Sequence, residues 1–136
     1  MIDQHKGFPR LIDSGYCEKC DVYYLVMNKL DDDLNTFCMQ KNGNSLSLYT
    51  AINIAIQLLD RIETLHSLGY VHRDLKPKNV MVEHSNETIV LIDFGLCNRY
   101  LTQYSNHIPF RNHTEKLLGT PLFASTNALL GKELSR

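Results

Sequence analysis

A carboxylate, a cation and an amide lie close together in the segment YVHRDLKPKNVMV, residues 70–82. Asp74, Lys76 and Asn79 are separated by two and three residues and are flanked by apolar runs. A second carboxylate, Asp93, ends the next apolar run in the sequence TIVLIDFG. Side chains of these types are seldom buried without a polar partner. Their spacing therefore predicts a functional role rather than a place in the core.

A β-hairpin is predicted to bring these side chains together. The segments NVMVEH (79–84) and TIVLID (88–93) are rich in β-branched residues, and the polar sequence SNE separates them. Adjacent antiparallel strands place the start of one beside the end of the other. Asn79 and Asp93 should therefore be neighbours, with the polar loop HRDLKPKN just upstream.

The chemistry that suits this arrangement is phosphoryl transfer. One carboxylate and one amide oxygen form a sparse, hard-oxygen site for Mg²⁺ that arrives with the phosphates of a substrate. Lys76 adds a positive charge beside that site, and Asp74 remains as a proton acceptor. An H-x-D or a D-F-G sequence alone could be a chance match at a strand end. Here the H-x-D sequence precedes the D-F-G sequence along the chain, and each borders a predicted strand. This combination favours a functional role over a chance match.

The rest of the chain is predicted to mix strands and helices. DVYYLVM (21–27) is typical of a buried strand, paired across the polar turn SGYCEKC with a strand near Arg10–Asp13. Residues 31–40 suit a short helix with acidic residues at its start. Residues 47–69 have the periodicity of a long amphipathic helix, and 125–132 of a short one. The aromatic residues predicted to lie in the core are Tyr23, Tyr24, Phe37 and Phe123.

Composition narrows the functional class. The 136 residues are 43% hydrophobic and 21% charged, which suits about one globular domain. The net charge of −1 gives no basic field for nucleic acid or an anionic membrane. No apolar run approaches the roughly 20 residues that span a bilayer, and the N-terminus is too polar for a signal peptide. We expect no nucleic-acid or membrane partner and a cytoplasmic and/or nuclear location; the oligomeric state stays open.

Two cysteines in the sequence CEKC, Cys17 and Cys20, have the spacing of half a zinc site or of a redox pair. A structural zinc ion needs four ligands, and the sequence contains no second pair of this kind. The pair does not open a helix in a βαβ unit, as a redox pair would. A turn with two incidental thiols is therefore the favoured interpretation, and the metal alternative is the weaker one.

Several of these motifs resemble those of one enzyme family. HRDLKPKN resembles the catalytic loop of eukaryotic protein kinases, and DFG resembles their metal-binding turn. The lysine two residues after the aspartate resembles the serine/threonine branch of that family. HIPF (107–110) and LLGTPLFASTN (117–127) are similar to the casein kinase I family, in which an alanine-serine-isoleucine-asparagine motif replaces Ala-Pro-Glu. MNKLDDDL (27–34) lies where that family has its hinge. The resemblance extends from about Gly7 to Arg136.

The resemblance implies an α+β, protein-kinase-like fold and a serine/threonine kinase that uses ATP and Mg²⁺ on protein substrates. Asp74 would be the catalytic base, and Lys76 would contact the γ-phosphate and the substrate hydroxyl. Thr120 would brace both residues from the substrate-binding loop. Asn79 and Asp93 would hold Mg²⁺.

The resemblance also implies which residues contact the nucleotide. Met27 would occupy the gatekeeper position, and the backbones of Asn28 and Leu30 would meet adenine. Met81 and Ile92 would pack on the adenine ring from below.

The sequence also departs from the family in ways that bear on activity. It offers no match to the glycine-rich loop, the strand lysine or the helix glutamate, nor to the C-terminal helices. Residues 1–136 are therefore expected to form a partial kinase domain that covers the hinge, the first part of the large lobe and the activation segment. Such a chain is expected to be inactive alone, and a non-catalytic, partner-binding kinase-like module is the alternative. Leu122 stands where casein kinases I usually have an arginine that reads acidic or phosphorylated residues in the substrate.

Overall fold

The computed structural model describes residues 5–41, 43, 45–85, 87–103, 105–109 and 118–135. Seven short strands and three α-helices form in this part of the chain. The strands are β1 (Leu11–Cys17), β2 (Val22–Met27), β3 (Asp32–Asp33), β4 (Tyr70–Val71), β5 (Val80–Glu83), β6 (Thr88–Leu91) and β7 (Asn98–Arg99). The helices are α1 (Leu34–Met39), α2 (Leu48–Ser67) and α3 (Thr126–Leu129), with 3₁₀ turns at Pro77–Asn79 and Pro121–Phe123.

The described strands form three small antiparallel sheets. β1 pairs with β2, β4 pairs with β7, and β5 lies between β3 and β6. In the β5–β6 hairpin, Val80 lies opposite Leu91 and Val82 lies opposite Ile89. The predicted hairpin over residues 79–93 is therefore confirmed, and its register brings the start of β5 beside the end of β6.

The core lies on one face of the β5–β6 hairpin. Val80, Val82, Ile89 and Leu91 point to this face, as the two-residue period of a strand requires. The other members of the core and its margin are Phe8, Phe37, Leu34, Leu46, Ile54, Leu58 and Phe94. This packing fixes the ends of β5 and β6, and with them the polar residues that flank the two strands.

Helix α2 matches the helix predicted over residues 47–69. The Ser47 hydroxyl accepts a hydrogen bond from the Thr50 amide at 3.1 Å, and Gly69 adopts a left-handed conformation just after the helix. Inside the helix, the buried Arg61 donates from Nε to the Ile89 carbonyl at 3.3 Å and so ties α2 to the hairpin. Among the described residues, no helix combines the length and the apolarity needed to cross a bilayer.

The shorter elements also form, with shifted ends. Asp33 caps α1, because its carboxylate accepts hydrogen bonds from the Asn35 and Thr36 amides at 2.9 and 3.1 Å. Of the three acidic residues at 31–33, only Asp33 lies at the start of α1. Asp32 and Asp33 form β3, which pairs with β5 before the helix begins. β1 continues to Cys17, into the segment that was predicted as a turn.

The predicted burial of strand 21–27 is wrong. All six residues of β2 are exposed, because β2 pairs only with β1 and no other described element packs closely on the pair. Tyr23 is 87% exposed and Tyr24 42%, so neither is a core residue. Phe123 is also exposed, whereas the prediction for Phe37 is confirmed. An apolar, β-branched sequence indicates a strand, but burial depends on which elements cover it.

Candidate active site

The polar loop between β4 and β5 is held in place by backbone contacts with the hairpin. The 3₁₀ turn begins at Pro77, whose fixed φ suits the first position of a helical turn. The Asn79 amide closes the turn on the Lys76 carbonyl at 2.9 Å. The Asn79 carbonyl then accepts from the Ile92 amide at 3.0 Å, which extends the β5–β6 ladder by one pair. Asp93, as the next residue, therefore lies close to Asn79, as the hairpin prediction requires.

Three side chains from two distant segments form a closed triangle of hydrogen bonds. Lys76 Nζ donates to Asp74 Oδ2 at 2.6 Å and to Thr120 Oγ1 at 3.0 Å. The Thr120 hydroxyl in turn donates to Asp74 Oδ1 at 2.8 Å. Asp74 is buried and Lys76 is partly buried, so solvent screens this ion pair only in part. The structure thus brings together the three residues predicted to be catalytic; their roles remain predictions.

The triangle also sets the charge of Asp74. Burial raises the pKa of this carboxyl, but the hydrogen bonds from Lys76 and Thr120 and the charge of Lys76 act more strongly together. The net result is a pKa below the ordinary value of an aspartic acid. Asp74 is therefore an ionised carboxylate at neutral pH, which is the form that can accept a proton.

We expect Lys76→Met to raise the pKa of Asp74. The substitution removes the strongest partner of the carboxylate, while the burial that disfavours the charge remains. Since the folded-state pKa is depressed, the charged carboxylate stabilises the fold above its unfolded pKa, and this contribution is lost as pH falls through the folded pKa. A carboxyl ¹³C NMR titration of both proteins measures the change. Lys78→Met, at an exposed lysine of the same loop, is the control, and an unchanged Asp74 titration in Lys76→Met would contradict the assignment.

Asn79 and Asp93 form the set of oxygen donors predicted to hold a metal. Asn79 is buried, and its Nδ2 donates to the Asp74 carbonyl at 2.9 Å and to Asp74 Oδ2 at 3.2 Å. These bonds leave the amide oxygen as the ligand atom. Asp93 is exposed in a left-handed conformation, and the Gly95 amide donates to its Oδ1 at 3.3 Å. One carboxylate and one amide oxygen fit a Mg²⁺ ion that keeps several other oxygen ligands.

A complete protein cage for a metal is not found at this site. Among the residues that the structure describes, no group of three or more His, Cys, Asp or Glu side chains could hold a metal ion. Mg²⁺ commonly binds one or two protein oxygens together with water and substrate phosphates. The sparse donor set therefore suits a metal that is shared with a phosphate ligand.

His72 connects the loop to the end of β6. The ring is buried; its Nδ1 accepts from the Asp74 amide at 3.3 Å, and its Nε2 donates to the Ile92 carbonyl at 2.9 Å. These partners require the neutral ring with its proton on Nε2. The ring also packs against Phe94 at 5.4 Å between centroids. His72 thus positions the loop, since both of its ring nitrogens are taken up by hydrogen bonds to the backbone.

Two further residues of the site were missed by the sequence reasoning. Gly119 has φ +90°, and a Cβ there would lie 2.7 Å from the Arg73 carbonyl oxygen. Only glycine therefore lets Thr120 approach the loop closely enough to reach Asp74. Arg73 itself has φ +70° and donates from Nε to the Leu96 carbonyl at 2.6 Å. The one available signal was the glycine directly before Thr120 in LLGT.

The residues predicted to contact a nucleotide fall into two groups. Met81 and Ile92 lie on the face of the hairpin opposite the core, because Met81 pairs with Val90 and side chains alternate along each strand. The other group, Met27, Asn28 and Leu30, belongs to the segment that leads from β2 into β3. β3 pairs with β5 through Asp33 and Met81, so this segment leads directly to the strand that carries Met81. Contact with adenine remains a prediction for all five.

The fold and the site define an α+β domain with a hairpin and a loop suited to phosphoryl transfer. A family model described as the protein kinase domain matches residues 3–136. The chain therefore belongs to the protein kinase domain family. This match confirms the predicted fold class and supports a phosphotransferase with protein substrates.

Proposed function

We propose that this kinase domain is of the serine/threonine, casein kinase I type and transfers the γ-phosphoryl group of ATP to hydroxyl groups of proteins. The observation that carries the proposal is the triangle of Asp74, Lys76 and Thr120. It joins a proton acceptor, a cation and a residue of the 118–135 segment at one point. When bound, Mg²⁺–ATP supplies the transferable phosphoryl group and shields its negative charge.

The carboxylate of Asp74 is proposed to accept the proton of the substrate hydroxyl. Oδ2 already accepts two hydrogen bonds, from Lys76 Nζ and Asn79 Nδ2. Oδ1 accepts from the Thr120 hydroxyl at 2.8 Å, and the Thr120 backbone amide also donates to this carboxylate. A carboxylate oxygen can accept two hydrogen bonds. The incoming hydroxyl is therefore expected to donate its proton to this carboxylate, which the surrounding donors hold in its ionised form.

Lys76 and Thr120 hold this base in place. Lys76 Nζ bonds both Asp74 and Thr120, so its third proton is free to meet an anionic oxygen near the carboxylate. Thr120 fixes the plane of the carboxylate from a segment 46 residues away in sequence. Holding the base and the cation at fixed distances lowers the entropy cost of the reaction, which is the main contribution of a protein to phosphoryl transfer.

Transfer to peptides tests the class of acceptor. An active form of the protein, given ATP labelled in the γ-phosphoryl group, should label serine and threonine peptides and leave a matched tyrosine peptide unlabelled. Preferential labelling of tyrosine would overturn the serine/threonine assignment.

Asn79 and Asp93 are proposed as the ligands of Mg²⁺. Asp93→Ala should weaken Mg²⁺-dependent nucleotide binding more than Asn79→Ala, because a charged oxygen contributes more than an amide to binding a hard cation. Titration of Mg²⁺ against a fixed concentration of a nucleotide analogue measures the order. Asp60→Ala, at an exposed aspartate of α2, is the control. Equal losses in the two site variants would argue against Asp93 as the principal ligand.

The casein kinase I type is supported by the segment around α3. Ser125 of the sequence ASTN caps α3, accepting from the Ala128 amide at 3.3 Å. Leu122 in the preceding turn is 84% exposed, so a substrate could contact it. Of the other residues that carry the resemblance, Phe110 and Leu117 lie outside the described residues.

Leu122 predicts a weak preference for substrates phosphorylated ahead of the target residue. A leucine cannot pair with a phosphate, whereas an arginine binds it through two hydrogen bonds. Two peptides that differ only in that phosphate should therefore have similar kcat/KM values, and Leu122→Arg should raise the ratio. A strong preference in the unchanged protein would indicate that Arg111 or Lys116, which lie outside the described residues, binds the phosphate.

A second candidate function is a non-catalytic module that binds a partner. The exposed apolar surfaces of β2 and α2 favour it, since large exposed apolar patches mark interaction sites. Asp74→Asn and Asp93→Ala separate the two functions in cells. Loss of the cellular function in both variants supports the kinase, and full function in both supports the binding module.

A further inference from the structure

The turn between β1 and β2 places two cysteines side by side at the tip of an exposed hairpin. Cys17 is the last residue of β1 and pairs with Val22, and the Cys20 amide donates to the Cys17 carbonyl at 3.2 Å. Asp21 has φ +54°, which returns the chain directly into β2. The Tyr16 hydroxyl donates to the Asp21 carboxylate and fixes this end of the turn. The sequence CEKC therefore forms a tight, well-anchored loop.

The two thiols of this loop are close enough to form a hydrogen bond. The Cys20 thiol donates to the Cys17 sulfur, and the backbone amides of Cys20 and Lys19 point to the same atom. Amide and thiol donors around one sulfur stabilise its thiolate, and they lower the pKa of Cys17. Cys97 differs, since burial raises the pKa of its thiol. Cys20 is exposed and Cys17 is partly exposed, so a solute can reach both sulfurs.

This geometry is half of a tetrahedral thiolate site. A C-x₂-C turn supplies two of the four ligands in structural zinc sites, where the metal contacts deprotonated sulfur. Within the described residues, no third His, Cys, Asp or Glu joins the pair. A second copy of the same pair would supply the two ligands that the described residues lack. The sequence of one chain favours two incidental thiols, because it contains only one such pair of cysteines.

We propose that Cys17 and Cys20 of two copies of this chain together bind one Zn²⁺ ion. Two identical half-sites related by a two-fold axis supply four equivalent thiolates, and a two-fold interface is the commonest symmetry of homodimers. The same contact would bring together the exposed Val22 and Tyr23, which follow the turn directly. Four thiols lose four protons to solvent as the four zinc–sulfur bonds form, so affinity should rise with pH.

Cobalt(II) is the probe for this site, because tetrahedral thiolate coordination gives it intense visible absorption. Titration of the 136-residue chain, reduced with a phosphine, should saturate at one Co²⁺ per two chains. Zinc should displace the cobalt, and analytical ultracentrifugation should show a doubled mass that a chelator reverses. Cys17→Ser and Cys20→Ser should lose both the absorption and the metal-dependent change in mass. Cys38→Ser and Cys97→Ser are matched controls that should retain both.

The decisive quantity is the difference between the mass of the protein measured with metal and its mass measured with chelator. Association through the exposed apolar surfaces would be the same in both measurements. Cys20 is exposed, so Cys20→Ser should fold like the unchanged chain, and circular dichroism checks this. Three results would each overturn the proposal: saturation at one metal per chain, a metal-dependent mass change that persists in Cys20→Ser, or no tetrahedral cobalt spectrum. Oxidation of the pair to a disulfide should abolish the metal response and reduction should restore it, and a response that survives oxidation would contradict the proposal.

Discussion

Replacing Asp74 with asparagine is expected to lower kcat by about 10²–10⁴-fold in an active form of this kinase, which is the usual contribution of a positioned general base. The amide has the shape of the carboxylate, and its single oxygen can still accept from Lys76. What it lacks is the negative charge of the carboxylate, which accepts the substrate proton. Nucleotide affinity should change little, because the proposed metal ligands are Asn79 and Asp93.

Single-turnover kinetics and equilibrium nucleotide binding measure the two quantities separately. Asp60→Asn, on the exposed side of α2, is the matched control and should leave both unchanged. Turnover near the normal rate in Asp74→Asn, with nucleotide binding intact, would rule out Asp74 as the base. A parallel loss of nucleotide binding would instead indicate that Asp74 acts mainly as a structural or metal-binding residue.

The part of the site that could be predicted from the sequence is the part built from contiguous residues. Two short β-branched runs joined by a polar turn allow only one sensible antiparallel register. That register alone places Asn79 beside the residues that end β6, and the loop that carries Asp74 precedes it directly. Local patterns of this kind need no knowledge of the rest of the fold.

Long-range contacts could not be derived in this way. Thr120 lies 46 residues from Asp74, and only the family resemblance suggested that the two meet. Gly119 was missed because its role depends on the distance of its backbone from the Arg73 carbonyl, which no spacing reveals. The burial of β2 was wrong for a related reason. Its sequence shows strand propensity, while burial depends on elements packed on its faces.

Helix α2 presents an apolar stripe to solvent, and this stripe is expected to cause self-association. Leu48, Ile52, Ile56 and Leu59 follow one another at helical steps, and all four are exposed. The opposite side of the helix carries Leu58, which packs against the hairpin core. The helix is therefore apolar on two sides, of which the described residues cover only one. A patch of several hundred Å² of this kind marks an interaction surface or drives aggregation.

Ile56→Lys is therefore expected to reduce self-association of the chain and its binding of an apolar dye without destabilising the fold. The side chain is 55% exposed, and exposed substitutions usually change the free energy of unfolding by less than about 0.5 kcal/mol. Leu58→Lys is the matched control on the covered side. It should destabilise the fold and increase dye binding, because it places an unpaired charge against the core. Sedimentation, dye fluorescence and thermal unfolding measure the three effects, and equal destabilisation by the two variants would show that α2 is buried on both sides in solution.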